Sequence, residues 1–93
     1  MRRRYLIAYD IANEKRLRRV ATLMESFGER LQYSVFMCDM TPGAKARWRS
    51  AMLAEMQLGE DSVVVIDLGE PGSEDLTVIG VPRALPQSGA TII

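Results

Sequence analysis

Histidine is absent from this 93-residue chain, and cysteine occurs only once, at Cys38. Without histidine the chain has no Ser-His-Asp triad and no histidine-ligated metal site. A single cysteine excludes an internal disulfide and a metal site built from several cysteines. Any chemistry must therefore come from carboxylates, hydroxyls, arginine and lysine. Among metals, this residue set suits a hard cation such as Mg²⁺, which takes oxygen ligands.

Long apolar runs are missing as well. No stretch approaches the roughly 18 apolar residues of a membrane-spanning helix. The apolar stretch behind the basic residues 2–4 breaks at Asp10, which is too early for a signal peptide. We therefore expect a cytoplasmic protein that does not bind membranes. The apolar fraction of 47% and the charged fraction of 26% are ordinary for a globular protein, and the length predicts one domain over residues 1–93.

The formal net charge is zero, but the two halves of the chain differ in sign. Residues 1–49 hold 11 of the 12 Lys and Arg and 5 of the 12 Asp and Glu, which leaves a formal charge of +6. Residues 50–93 hold one arginine and 7 acids, which leaves −6. This asymmetry favours a basic surface for an anionic partner. The alternative is that the two halves intermix after folding and only solubilise the surface.

The stretch Tyr5–Ile11 predicts a first strand, since its short apolar run is flanked by β-prone tyrosines. Such a run is typical of a central strand that is buried on both faces. Asp10 closes this strand, and a carboxylate beside a core must be solvated, act as a helix cap or bind a cation. The residues alone favour Asp10 as the cap of the following helix, and cation binding stays open as the alternative.

The pattern after Asp10 predicts two helices. Asn13 is the predicted N-cap of the first helix, and Gly28 is its predicted C′ residue. The second helix starts at Thr41-Pro42 and is predicted to end at Gly59. Apolar residues at helical spacing mark the buried side of each helix: Leu17, Val20, Ala21, Met24 and Phe27 in the first, and Trp48, Ala51, Met52 and Met56 in the second.

The remaining segments predict strands. Residues 29–40 form either one bent strand or a tight hairpin, Ser62–Leu68 is a second buried strand, and Leu76–Val81 is another. This order predicts an α+β fold, a ferredoxin-like βαββαβ sandwich with an extra C-terminal strand. The chain closes on apolar, β-prone residues that we expect to pair with another copy of the chain: Thr91, Ile92 and Ile93.

Three features together carry a family resemblance. They are Tyr9-Asp10 at the end of the first strand, the basic start of the first helix, and the run GERLQYSVF at residues 28–36. With these residues the chain resembles the CRISPR-associated protein family numbered two, the small partner of the CRISPR integrase in spacer acquisition. The resemblance covers nearly the whole chain, and the Gly-x-Arg-x-Gln-x-Ser-Val-Phe run is its most specific part.

The resemblance implies a ferredoxin-like homodimer. Its C-terminal strands are expected to be swapped, so that residues 76–93 of one subunit join the sheet of the other. It also implies that two Asp10 carboxylates face each other across the two-fold axis. Asp10 is therefore the predicted metal-binding and catalytic residue, with Mg²⁺ as the cofactor.

Three functions follow from the resemblance and the fold. The first is a subunit of CRISPR adaptation, whose homodimer bridges integrase dimers and holds incoming duplex DNA. The second is a magnesium-dependent endonuclease that cuts RNA or double-stranded DNA. The third is a toxin-like ribonuclease unrelated to CRISPR. Relatives often carry a further aspartate where this chain has Asn13 and Glu14, and its absence weakens the predicted metal site. The structural role therefore ranks ahead of the nuclease.

Four arginines are predicted to bind nucleic acid, and they lie at or near the family's functional basic positions: Arg16, Arg18, Arg19 and Arg30. The planar guanidinium can donate two parallel hydrogen bonds to phosphate. Such contacts position a duplex without distinguishing its bases. The alternatives are a solvated helix surface for the first three, and pairing with Glu29 or Asp39 for the fourth.

Overall fold

The computed structural model describes residues 1–73, 75–82 and 90–92. The elements are β1 (Arg3–Asp10), α1 (Glu14–Glu25), β2 (Glu29–Gln32), β3 (Val35–Met40), α2 (Pro42–Glu55), β4 (Ser62–Gly69), β5 (Leu76–Val78) and β6 (Ala90–Ile92). Four strands form one antiparallel sheet in the order β2-β3-β1-β4, and two short strands form a separate parallel pair, β5-β6. The predicted ferredoxin-like βαββαβ order is confirmed.

Strand β1 lies at the centre of the large sheet, between β3 and β4. Its side chains alternate between the two faces. Tyr5, Ile7 and Tyr9 are buried in the core that the helices cover, whereas Leu6 and Ala8 point to the opposite face and are half-buried. The prediction that β1 is buried on both faces is therefore wrong for a single chain.

Strand β4 is the edge strand beside β1 and continues the same open face. Val64 is 56% exposed and Ile66 is 48% exposed, so the predicted second buried strand is also wrong for a single chain. The physical reason is that both helices cover one face only, and an apolar run does not show whether the other face is covered. In register, Leu6 lies opposite Ile66 and Ala8 lies opposite Val64. We call these four residues the outer sheet face.

Both helices begin where the sequence predicts. The side chain of Asn13 accepts a hydrogen bond from the backbone N–H of Arg16 at 2.9 Å. The hydroxyl of Thr41 accepts one from the N–H of Ala44 at 3.1 Å. Each cap satisfies a backbone donor that the first helical turn leaves without a partner.

The helix ends differ from the prediction. Helix α2 stops before Gly59, because the backbone of Met56 is already extended (ψ 152°) and its side chain lies in the core. Gly28 is not a left-handed C′ residue, since its φ is not positive. It is needed for close packing instead, because a Cβ at this position would overlap the carbonyl oxygen of Met37 on β3.

Residues 29–40 form a hairpin, which decides between the two predicted alternatives. Strands β2 and β3 pair in antiparallel fashion around a turn at residues 33–34, with an irregularity between Arg30 and Gln32. The hairpin places Phe36 in the core and Arg30 beside it.

The C-terminal strands pair within one chain. Strand β5 is shorter than the predicted strand Leu76–Val81, and it runs parallel to β6 with Thr77 opposite Thr91. Thr91 and Ile92 belong to β6, and Ile93 lies outside the described residues. The crossing of these residues to a second subunit stays a prediction, as does the single domain over residues 1–93. Within the described ranges, neither helix is long and apolar enough to cross a membrane.

Candidate nucleic-acid interface and metal site

Asp10 ends β1 with an exposed side chain, opposite Ser62 on β4. By the alternation of the strand it lies on the same face as Leu6 and Ala8, at the border of the outer sheet face. It does not cap helix α1, since that role belongs to Asn13. The capping interpretation of Asp10 is therefore wrong, and its carboxylate is left in a position to bind a cation.

A single chain offers a metal ion few ligands besides the Asp10 carboxylate. The described residues contain no group of three or more Asp, Glu, Cys or His side chains that could hold a metal ion. Magnesium is nevertheless often held by one or two carboxylates, with water and phosphate oxygens completing its shell. The exposed Asp10 carboxylate therefore fits a Mg²⁺ site of this kind, and a second Asp10 from a partner subunit would supply the second carboxylate.

Asp61, which the sequence analysis missed, organises the surroundings of Asp10. Its side chain is fully buried and accepts four hydrogen bonds. Two come from Arg16, at 2.6 Å from Nε and 3.0 Å from Nη2. The other two come from the backbone N–H groups of Ala12 and Gln57, each at 2.9 Å.

These bonds tie three segments together: the loop after β1, the first turn of α1 and the turn before β4. The Arg16 guanidinium, helped by the N–H groups of Ala12 and Gln57, holds the pKa of Asp61 well below its usual range. Because Ala12 follows Asp10 by two residues, Asp61 fixes the backbone that carries the predicted metal ligand.

The predicted arginines of α1 do not form one free basic cluster. Arg16 is committed to Asp61 and also lies 3.1 Å from Glu60. Arg19 donates from Nε to Glu55 at 2.9 Å. Arg18 is the most accessible of the three, because its side chain is 76% exposed and its Nη2 lies as far as 3.9 Å from Glu14. The structure thus gives Arg16 a structural role, and its binding to nucleic acid stays a prediction.

These ion pairs also show how the opposite charges of the two halves of the chain are distributed in the fold. Arg16 and Arg19 pair with acids from the second half of the chain, and Arg3 does so with Asp67 at 3.0 Å. The two halves therefore intermix in part, as the alternative interpretation of the charges expected. Exposed cations remain on both helices: Lys15, Arg18, Arg19, Arg47 and Arg49.

Arg30 lies apart from the α1 arginines, on the hairpin. Its guanidinium carbon is 5.3 Å from the centre of the Phe36 ring and 6.0 Å from that of Tyr33, which is cation–π distance. The predicted alternative pairing with Asp39 is wrong, because Asp39 accepts from Arg4 at 2.7 and 2.9 Å.

A family model described as "CRISPR associated protein Cas2" matches residues 1–75. The chain belongs to this family. The resemblance that the sequence predicted is thereby confirmed, and a CRISPR role is supported over the toxin-like ribonuclease unrelated to CRISPR. The fold agrees with this family assignment, because this chain has the same fold as solved Cas2 structures.

Two relatives show how far the likeness of this Cas2 chain extends. The CRISPR-associated endoribonuclease Cas2 1 of Rhodospirillum rubrum is 35% identical over 80 residues, which cover 86% of this chain and 78% of the relative. The CRISPR-associated endoribonuclease Cas2 of Nitratidesulfovibrio vulgaris is 32% identical over 93 residues, with 95% and 91% covered.

Solved structures also resemble this chain over most of its length. The hypothetical protein TT1823 from Thermus thermophilus superposes with a TM-score of 0.83 and 31% identity, covering 94% of this chain and all of the other. Streptococcus pyogenes Cas2 at pH 6.5 gives a TM-score of 0.64 and 32% identity, with 68% of this chain and 82% of the other covered.

Proposed function

We propose that this Cas2 protein is a structural subunit of CRISPR adaptation. Its homodimer bridges integrase dimers and holds incoming duplex DNA during spacer acquisition. The observation that carries this proposal is the outer sheet face, an apolar surface on β1 and the edge strand β4 that the helices leave open. Apolar side chains that line a sheet face are favourable only when another layer covers them.

The outer sheet face continues toward the C-terminal segment. Leu6 and Ala8 line a groove together with Leu76 and Val78 of β5, so part of the cover comes from the chain itself. Val64 and Ile66 remain about half exposed beside this groove. A second copy of the chain is the occupant we propose for this remaining area, because a two-fold interface would bring the same surface from both subunits together.

DNA binding in this proposal is electrostatic. Exposed arginines on α1 offer guanidinium groups to phosphates, and such interactions are insensitive to base sequence. Replacing Arg18 and Arg19 together with alanine should therefore weaken duplex binding. It should also flatten the plot of log affinity against log salt by about one unit for each phosphate that the protein no longer neutralises. The affinity of a short duplex, titrated at several salt concentrations, measures this slope.

Arg16 is left in place in this test, because removing it would leave the buried carboxylate of Asp61 without its cation. The matched control replaces Arg47 and Arg49 on α2, which removes the same charge from another exposed surface. A slope that falls in the α2 variant and not in the α1 variant would place the DNA on α2.

A second function is favoured by the position of Asp10 and by the relatives that carry the name endoribonuclease. A dimer formed through the outer sheet face can bring two Asp10 side chains together at its border. Two close carboxylates repel each other, and a bound Mg²⁺ relieves that repulsion. The cation would polarise a phosphate and activate water, which allows hydrolysis of RNA or double-stranded DNA without histidine.

Asp10→Asn separates the two functions. The substitution removes the charge that would hold Mg²⁺ and keeps the size of the side chain, so nuclease cleavage should be lost. We expect spacer integration to stay within about twofold of the unmodified protein, because bridging and DNA holding need no chemistry at Asp10. A reconstituted integration assay is run beside a nuclease assay, each with and without magnesium.

The control is Asp67→Asn, which removes an exposed carboxylate that the proposal does not use. Folding, dimerisation and integrase binding are measured on each variant. If Asp10→Asn abolishes integration while these three properties persist, the structural proposal is wrong and the nuclease becomes the leading function.

A further inference from the structure

Helix α2 presents two rows of side chains at helical spacing. The first row is apolar and buried in the core: Trp48, Met52 and Met56. Beside it, Lys45, Arg49 and Leu53 follow one another at intervals of four residues, so they form a second row along the same side of the helix. A row of this spacing is a ridge of the kind that packs against another helix.

A groove lies between the second row and strand β4. It has a volume of about 330 Å³, and every second residue of β4 lines its other side: Val63, Val65 and Asp67. The backbone of α2 runs closer to β3 than to β4, which leaves the groove open. Leu53 is 42% exposed and Val65 is 37% exposed, so apolar side chains on both sides meet solvent. An open groove with apolar walls indicates a partner that fills it.

The charge of the groove is positive. Lys45 lies 4.7 Å from the centre of the Tyr5 ring, at cation–π distance, which holds its ammonium group beside the groove. Arg49 is exposed, and neither cation forms an ion pair with a described residue. Asp67 is the one acid among the described lining residues, and it is already paired with Arg3 at 3.0 Å. The groove therefore offers two cations and an apolar surface to a partner.

Three other occupants fit this combination poorly. A helix from a second copy would bring like charge, since α1 and α2 each carry more basic than acidic residues. A nucleic-acid backbone would place charged phosphates against Leu53 and Val65. A strand paired to the edge of β4 would lie in the plane of the sheet, beside the groove and not in it.

We propose that this groove binds an amphipathic helix of another protein, which carries apolar residues on one face and carboxylates along its edge. The apolar face packs on Leu53 and Val65, and two carboxylates four residues apart pair with Lys45 and Arg49, which have the same spacing. The bound helix adds a third helix to the layer that covers this face of the sheet. This groove is separate from the outer sheet face and from the arginines of α1, so the inference goes beyond bridging and DNA holding.

Two synthetic peptides of about four helical turns test the groove. The first has leucines on one face and two glutamates four residues apart at the edge of that face, and the second has lysine in place of both glutamates. A hydrocarbon staple on the solvent side keeps each peptide helical, and a fluorescein label reports binding by anisotropy. The unmodified protein should bind the glutamate peptide at least about tenfold more tightly than the lysine peptide.

Charge reversal is the decisive comparison. Replacing Lys45 and Arg49 together with glutamate should reverse the preference, so that the lysine peptide binds more tightly. Leu53→Asp should weaken binding of the glutamate peptide at least about tenfold. Arg47→Glu is the matched control for the charge and Leu58→Asp is the control for the leucine, because both side chains are exposed and neither lines the groove. Both controls should keep the affinity for the glutamate peptide within about twofold.

Circular dichroism checks the fold of each variant, and the charge-reversed variant alone carries the test if Leu53→Asp does not fold. If charge reversal leaves the peptide preference unchanged, the inference is wrong. It is equally wrong if the unmodified protein binds neither peptide and charge reversal weakens binding of a short DNA duplex, since the groove then belongs to a nucleic-acid surface. If Leu53→Asp dissociates the homodimer in sedimentation velocity, a second copy fills the groove and no other protein does.

Discussion

Replacing Asp61 with asparagine should lower the melting temperature by at least about 10 °C. An asparagine has one acceptor oxygen in place of two, so part of the set of four hydrogen bonds cannot form. It also leaves the Arg16 guanidinium without its counter-charge in a place where the side chain is only 16% exposed. Thermal unfolding followed by circular dichroism measures the effect.

Asp67→Asn is the matched control for this substitution. Asp67 also pairs with an arginine, at 3.0 Å, but both side chains are about 45% exposed. Exposed ion pairs contribute little, so this variant should lose no more than a few degrees. Equal losses in the two variants would show that the burial of Asp61 has no special effect on stability.

The same pair predicts how stability depends on pH. The pKa of Asp61 is lowered in the folded protein, first by Arg16 and then by backbone donors. Its contribution is therefore complete above the unfolded pKa of about 3.9 and is lost as the pH falls below that value. The difference in melting temperature between the unmodified protein and Asp61→Asn should shrink on acidification from pH 6 toward pH 3, and two parallel curves would contradict the assignment.

The features that the sequence predicted correctly are local ones. Asn13 and Thr41 act as helix caps because the cap, its acceptor atom and the N–H it satisfies lie within three residues. The element order follows in the same way from periodic apolar patterns inside each segment. The family could also be recognised from the sequence, because the most specific run that carries the resemblance, residues 28–36, is contiguous.

The features that could not be predicted from the sequence depend on interactions between residues that are distant along the chain. The sequence predicts that Arg16 binds nucleic acid, which stays a prediction, but only the fold shows that Asp61, 45 residues later, accepts hydrogen bonds from its guanidinium. Asp61 itself gave no signal, since a lone acid before an apolar strand is common on protein surfaces.

The outer sheet face illustrates a second limit. An apolar run such as Val63–Leu68 predicts burial, but it does not say whether the covering layer comes from the same chain or from another. In one chain the helices cover one face of β4 only in part, with Val65 37% exposed there, and Val64 stays 56% exposed on the other face. The missing information is the assembly, so the mismatch between predicted and observed burial is itself an argument for a partner.

The second prediction with a large expected effect concerns association with this proposed partner. Val64→Asp should raise the dissociation constant of the proposed homodimer at least 100-fold, roughly the effect expected from a carboxylate without a counter-charge in a dry interface. The fold of the single chain should hardly change, because the side chain is already half exposed there. Leu58→Asp is the control, since Leu58 is 68% exposed on a turn beyond α2 and outside the outer sheet face.

Sedimentation velocity over a range of concentrations measures the dissociation constants. A chain that lacks residues 90–93 adds a third comparison, which bears on the swapped strand. If the outer sheet face alone forms the dimer, this truncated chain should keep its dissociation constant, whereas strand exchange through Thr91 and Ile92 predicts a weaker dimer. A Val64→Asp protein that dimerises as tightly as the Leu58→Asp control would remove the outer sheet face as the interface. The bridging function would then need another surface.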